Sequence, residues 1–363
     1  MAAHTRKMTL ILCLIGILVL SACNGNGQDT DEDPDADPGN GADADTEADE
    51  DTDADAAGEE MTISFAHVLA EAQPWHQCGA LAFEESIVES GTGLDIDLFP
   101  AAQTHADTLE QLDAIDSGNL DITWATPAQL GTRLSALDVF DAAYLFDDAD
   151  HMMGAVESEP AEELWEELRT EHGMRVIGAG YYGTRHLTSN NMVTTPDDMA
   201  GQQLRVLDAP LWQTNGVALG ANPTAVAFGE LYLALQQGVA DAQETPLPVI
   251  EAEGFDEVQD YVHLTGHVVA MMAVVIAEDT WESLSEAQQE AVLEAGEVLG
   301  EGVTECTLAE EEELLEEWSG DEAPIEINDN VDLDAFGASA EEALFPEYED
   351  DWGEFYRALQ EQE

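Results

Sequence analysis

The chain has 363 residues, 80 of them acidic and eight basic, for a formal charge of −72 with histidine neutral. A surface this anionic excludes nucleic acid and anionic membrane surfaces as partners, since like charges repel. An apolar share of 44%, with seven tryptophans, excludes a merely disordered acidic protein.

The N-terminus joins Arg6 and Lys7 to an apolar run over residues 8–20 and the small-residue sequence Leu20-Ser21-Ala22-Cys23. This reads as a secretory leader over residues 1–22 that ends in a lipobox, with Cys23 as the lipidated anchor. An ordinary leader with a coincidental cysteine is the plainer alternative. The run is too short to span a bilayer, which takes about 20 apolar residues. Cleavage removes Cys13 and both early cations, leaving no lysine and six arginines against the 80 acids, a formal −74. Such a surface repels itself at low salt, whereas at molar salt the screening length falls to about 3 Å, so the composition implies a saline habitat. Residues 23–60 hold no large apolar side chain and read as an extended, self-repelling tether.

Beyond residue 60 the pattern alternates. Met61–Ala66 reads as a strand, residues 75–89 as a helix, Leu94–Phe99 as an alternating strand and residues 108–117 as a helix stopped by Gly118. Strands follow at 120–124, 174–179 and Gln203–Val206, with a helix at 227–237 ended by Gly238. A long helix over about 281–318 opens a mostly helical C-terminal third. The order is α/β, with helices covering sheets. Cys78 and Cys306 are an even pair in an oxidising compartment. They form either a disulfide clipping the early lobe to the late helix, or two separate buried thiols.

Three motifs bear on chemistry. Gly178-Ala-Gly180-Tyr-Tyr-Gly183 satisfies G-x-G-x-x-G, but a dinucleotide site needs a helix to open at the glycines, and Thr184-Arg-His-Leu-Thr-Ser-Asn190 is poor in helix formers. A turn and a close backbone approach near a ligand suit these glycines better. His263 and His267 have a four-residue spacing that would serve a metal only on a helix, which Thr265-Gly266 argues against. No nucleophile, metal set or acid–base pair stands out, and no cofactor is expected. Arg185 and Arg205, each at a strand edge, are different. Two guanidinium forks converging in a cleft would bind an organic anion, and two structural salt bridges are the alternative.

The stretches Tyr182-Gly-Thr-Arg185-His-Leu-Thr-Ser-Asn190, Thr195-Pro-Asp-Asp-Met-Ala-Gly-Gln-Gln-Leu-Arg205-Val, Gly220-Ala-Asn-Pro-Thr224, Ala227-Phe-Gly-Glu-Leu-Tyr232 and Asp241-Ala-Gln-Glu-Thr-Pro-Leu247 occur in order. Together they resemble the DctP family, the periplasmic substrate-binding proteins of TRAP (tripartite ATP-independent periplasmic) transporters, over about residues 61–345. The resemblance implies a two-lobe clam-shell fold: lobe I over 61–183 with segments from about 268–300 returning to it, lobe II over 184–267, and a helical region over 268–363 bridging both. It implies that Arg205 makes the main bidentate contact to a ligand carboxylate, Arg185 a second polar contact, and Phe228 a packing contact. Thr245 stands where many members carry asparagine. Val68, Gln103, Trp124 and Thr126 fall on the opposite wall, with His67, Trp75 and Trp212 as further candidates. Val68 and Thr126 replace residues that are polar or acidic in sialic-acid binders. A small mono- or dicarboxylate, or an ectoine-like zwitterion, therefore fits better than a large polyhydroxy acid. Partners would be the large and small membrane subunits of a permease, and the place of work the outer face of the cytoplasmic membrane. A surface-anchored enzyme acting on an anion is the alternative, and turnover would reveal it.

Overall fold

The computed structural model describes residues 60–320 and 322–360. The leader, Cys23 and the acidic tether lie outside the described residues. Within them nine strands form one sheet. They are β1 (Met61–Ala66), β2 (Leu94–Phe99), β3 (Ile122–Ala125), β4 (Met174–Ser189), β5 (Gln203–Val206), β6 (Asn222–Ala225), β7 (Ala242–Pro246), β8 (Tyr261–Ala277) and β9 (Glu326–Asn328). Their order across the sheet is β2-β1-β3-β8-β4-β7-β5-β6, with β9 parallel to β8.

Two lobes arise because β4 and β8, at 16 and 17 residues, outrun their neighbours. One end of β8 takes β3 antiparallel, and the parallel β1 and β2 lie beyond it. The far end of β4 takes β7 antiparallel, with β5 and β6 beyond. Both long strands thus belong to both lobes. Their mutual register slips at Val176/Gly178, Tyr181/Gly183 and Arg185/Leu187. The expected lobe boundary at residues 183/184 falls inside β4, between the last two slips. Residues 174–179, read as a strand of their own, are only its first part.

The middle of β8 is an unbroken apolar run, Val268 to Ile276, buried throughout. Both its faces are covered, so it lacks the alternation of a half-exposed strand. Beside it, β4 is covered by the helix Glu286–Trp318, which starts at Ser285 with a capping box: Ser285 Oγ accepts from Gln288 N, and Gln288 Oε1 accepts from Ser285 N. The expected single helix from 281 is divided, since a short helix Glu278–Ser283 precedes it.

The glycine motif lies against this long helix. A Cβ on Gly178 would stand 2.6 Å from Gly296 O, and one on Gly180 2.4 Å from Val303 Cγ2. From the other side, a Cβ on Gly296 would stand 1.8 Å from Ile177 O, and one on Gly300 2.2 Å from Ala179 O. The expected turn near a ligand is therefore corrected. Gly178 and Gly180 sit inside a strand and let helix and sheet backbones meet.

Cys78 and Cys306 are disulfide-bonded, with Cα atoms 6.5 Å apart. The bond ties the π-helical turn Trp75–Ala80, which runs into the helix Leu81–Ser90, to the long helix. The last helix, Leu333–Gln360, touches both lobes: Thr214 Oγ1 donates to Glu347 at 2.8 Å, Phe355 packs edge-on against Phe140, and His151 Nε2 lies 2.9 Å from Leu359 O.

Replacing Gly296 with alanine is expected to lower stability by about 3 kcal/mol, the upper end for overpacking, because the new methyl meets a backbone oxygen that cannot move aside. Gly154→Ala, in a helix with nothing within 4 Å of the new methyl, serves as the control and should not destabilise. Denaturant unfolding compares the two, and equal midpoints would refute the close-packing account.

Candidate functional site

A small cavity, with about 30 Å³ open to the centre of a water-sized sphere, lies between the lobes. From lobe I come Val68, Leu69, Asp107, Thr108, Trp124, Thr126 and Gln129; facing them are Tyr182, Arg185, Arg205, Leu207, Phe228, Thr245 and Met272. Of the residues singled out from sequence, Arg205, Arg185, Phe228, Thr245, Trp124, Thr126 and Val68 come together here.

Four other candidates lie off the lining. Gln103 is exposed, carried outward where Ala101 and Ala102 take positive φ of 52° and 56°. His67 is buried behind Trp124, with its ring stacked on the indole at 4.3 Å and its Nε2 3.1 Å from His76 Nδ1. Burial and the neighbouring His76 lower its pKa to about 3, so it is neutral. Trp75 packs edge-on against Trp124 and donates its indole N–H to Tyr181 O. Trp212 is covered by Arg185, whose guanidinium carbon lies 4.5 Å from the ring centre. A ligand therefore meets one tryptophan, not three.

The two arginines differ in state. Arg185, on β4, donates from Nε to Glu244 Oε2 at 2.6 Å and from Nη2 to Glu244 Oε1 at 2.9 Å, both groups being buried. Glu244 sits on β7 opposite, and the antiparallel ladder brings the two side chains together. His267 Nε2 adds a contact to Glu244 Oε2 at 3.2 Å. Although burial opposes it, the Arg185 charge holds the Glu244 carboxyl below its usual range. Of the two readings of the arginine pair, Arg185 thus fits the structural salt bridge while still facing the cavity.

Arg205 projects from β5 into the same cavity and is 1% exposed. Its Nε donates to Val226 O at 3.0 Å, and its guanidinium carbon lies 5.7 Å from the Phe228 ring centre. Its Nη2 is buried with no hydrogen-bond partner, and among the described residues it makes no salt bridge. Desolvation lowers its pKa to about 10, which leaves it charged at neutral pH. A buried, charged donor left open into a cavity is a receptor for an anion.

Sequence reading missed Leu69, Asp107, Thr108, Gln129, Tyr182, Leu207 and Met272. Tyr182 opens the Tyr182-Gly-Thr-Arg185 stretch but had no role given to it, and Gln129 forms a capping box with Thr126 that T-x-x-Q announces. Asp107 caps the helix Thr108–Asp116, but as one acid among 80 it carried no signal. The histidines of the four-residue spacing are hydrogen-bonding groups on β8: His263 Nε2 meets Ser189 Oγ at 2.9 Å, and His267 Nδ1 meets Thr265 Oγ1 at 2.8 Å. Among the described residues no cluster of His, Cys, Asp or Glu is arranged to hold a metal.

Residues 65–350 match the family described as bacterial extracellular solute-binding protein, family 7, DctP. The chain belongs to this family. This solute-binding protein is 32% identical over 264 residues to a solute-binding protein of Roseobacter denitrificans, covering 72% of this chain and 81% of the relative. It is 33% identical over 218 residues to the sialic acid-binding periplasmic protein SiaP of Vibrio cholerae, covering 60% and 68%. It superposes with a TM-score of 0.77 on a TRAP periplasmic solute-binding protein from Roseobacter denitrificans with bound L-galactonate, at 30% identity, over 83% of this chain and 99% of the other. It is thus a substrate-binding protein of the TRAP type with the expected two-lobe α/β fold. Among its described residues no helix is long and apolar enough to cross a membrane.

Behind the site, Glu311 of the long helix reaches the bulge of β4. Its Oε1 accepts from Thr184 N and its Oε2 from Tyr181 O–H, both at 2.7 Å. These bonds fix the strand one residue before Arg185, where Gly183 takes a φ of 128°. Burial pushes the Glu311 carboxyl up to about 7. The folded protein then keeps a proton that the unfolded chain has already released, so this group withdraws stability as pH rises from its ordinary 4.5 towards 7. Thermal melts at fixed molar salt should show the midpoint falling across that window, with Glu311→Gln falling less. Parallel slopes would mean the carboxyl titrates normally.

Proposed function

We propose that this protein captures a small organic carboxylate outside the cell and hands it, chemically unaltered, to the two membrane subunits of a TRAP permease. Lipid on Cys23 holds it at the membrane surface, and the acidic stretch of residues 23–60 spaces the receptor from it. The observation that carries the ligand class is Arg205. Burying a charge without a partner costs several kcal/mol, and a carboxylate entering the cavity supplies the partner. Charge-assisted hydrogen bonds to it would return about 1.5–3 kcal/mol each. The acids named for two relatives, L-galactonate and sialic acid, support the same class. Val68, Leu69, Leu207, Phe228 and Met272 make much of the lining apolar, which favours a ligand with few hydroxyls. The formal charge of −74 after leader removal supports a habitat of high salt.

Arg205→Met keeps the bulk and removes the charge. The ligand-free variant is expected to melt no lower than the native protein, since an unpartnered buried charge has gone. The rise in midpoint caused by a carboxylate ligand should vanish. A retained rise would remove Arg205 from the site. Salt supplies a second check: the melting midpoint should climb steeply between roughly 0.1 and 2 M sodium chloride as the surface charge is screened. Carboxylate affinity should change little over that range, because the contact is buried. Affinity that collapses with salt would show a solvent-exposed contact instead.

A further inference from the structure

The charges around the cavity limit what it accepts. Beyond residue 22 the chain contains six arginines and no lysine, so each cation can be followed to its partner. Arg133 pairs with Asp113 and Asp116; Arg169 and Arg175 converge on Glu278; Arg357 pairs with Glu349. None of these four lines the cavity. Arg185 does, but Glu244 takes its Nε and Nη2 in a buried, two-pronged bond. His67, the histidine behind Trp124, is held neutral by burial. Arg205 remains, among the described residues, as the one arginine without a salt bridge, with the charges of Glu244 and Asp107 reaching it only from a distance.

The opposite wall offers no cation for a second anionic group; its one buried donor without a partner is the uncharged indole N–H of Trp124. Val68 and Leu69 are apolar, Thr108, Thr126 and Gln129 are neutral, and the one charged side chain there, Asp107, is negative. One Asp107 oxygen accepts from Leu109 N at 2.8 Å; among the described residues the carboxylate makes no salt bridge, but its charge reaches Arg205 across the cavity. A ligand carboxylate bonded to Arg205 leaves the rest of the molecule facing an apolar and acidic wall. A second carboxylate would be desolvated there without a counter-charge and close to a like one.

We infer that the cavity is a monocarboxylate site, and that Glu244, by occupying Arg185, and Asp107, by its sign, reject dicarboxylates. The inference rests on the carboxylate reading above and narrows it. It also assigns selectivity to two acids rather than to the arginines that bind: one silences a cation already in the cavity, the other repels from the far wall.

The test is calorimetric titration of the folded protein, stripped of any co-purified ligand, at molar salt. The panel holds monocarboxylates (pyruvate, lactate, 2-oxobutyrate, pantoate and ectoine) and diacids each matched with its own monoamide, succinate with succinamate and glutarate with glutaramate. A monoamide keeps one carboxylate and nearly the same shape, so only the second charge differs. The expected result is that the tightest ligand carries a single carboxylate, and that any diacid binds at least tenfold more weakly than its monoamide. A diacid that binds best, or equals its monoamide, overturns the inference and leaves the carboxylate reading standing. A panel in which nothing binds overturns the carboxylate reading and this inference with it. Asp107→Asn keeps a good helix cap and removes the charge. It should narrow the gap between diacid and monoamide at least threefold, and an unchanged gap would overturn the part given to Asp107.

Discussion

Every part of the site hangs on the antiparallel pairing of β4 with β8 and on the long helix that lies flush across it. The two strands are the only elements of the sheet that run through both lobes, so their register decides where lobe I side chains stand relative to those of lobe II. Close backbone contact at glycines holds the helix against β4, leaving no space for adjustment at Gly178, Gly296 and Gly300. From the same helix Glu311 pins the strand at Thr184, and one residue later the strand presents Arg185 to Glu244. The position of the binding groups is therefore set by backbone packing rather than by the flexible side chains themselves.

Two arginines that look alike in sequence end with opposite tasks. Antiparallel pairing sets Glu244 beside Arg185, and the result is a neutral, rigid unit in the wall. Arg205 lies between parallel partners, β6 and β7, and meets only a carbonyl. The first contributes shape, and the second contributes charge. Within the low-dielectric interior a lone guanidinium exerts a stronger pull than it would in water, so one residue suffices to define the ligand's anionic end.

Much of this was legible in the sequence. The alternating strands at Met61–Ala66 and Leu94–Phe99 and the helix stops at Gly118 and Gly238 follow from local pattern and left-handed glycine geometry. Both arginines, Phe228 and Thr245 lie within the ordered motifs, and the wall residues Val68, Trp124 and Thr126 follow from the family resemblance that those motifs carry. The crossing strand β8 was not, because a stretch buried on both faces shows no period. The glycine motif was read as a turn because the reason for it, Gly296 and Gly300, lies more than a hundred residues away on another element. Glu244, Asp107 and Glu311 stayed hidden for a compositional reason: where acids are everywhere, sequence alone does not separate the buried few from the solvated many.

The same scarcity of cations shapes how the molecule survives outside a cell. A protease that cuts after lysine or arginine finds six targets beyond residue 22. Two of them, Arg185 and Arg205, are sealed between the lobes, while Arg133, Arg169 and Arg175 are mostly covered and held by acids. Arg357, half-exposed on the last helix, is the one open site among them. An acidic tether without a single basic residue adds none. A surface so rich in acids thus also leaves the receptor almost without a place for tryptic enzymes to begin, and leaves reagents directed at amines no lysine beyond Lys7 to modify.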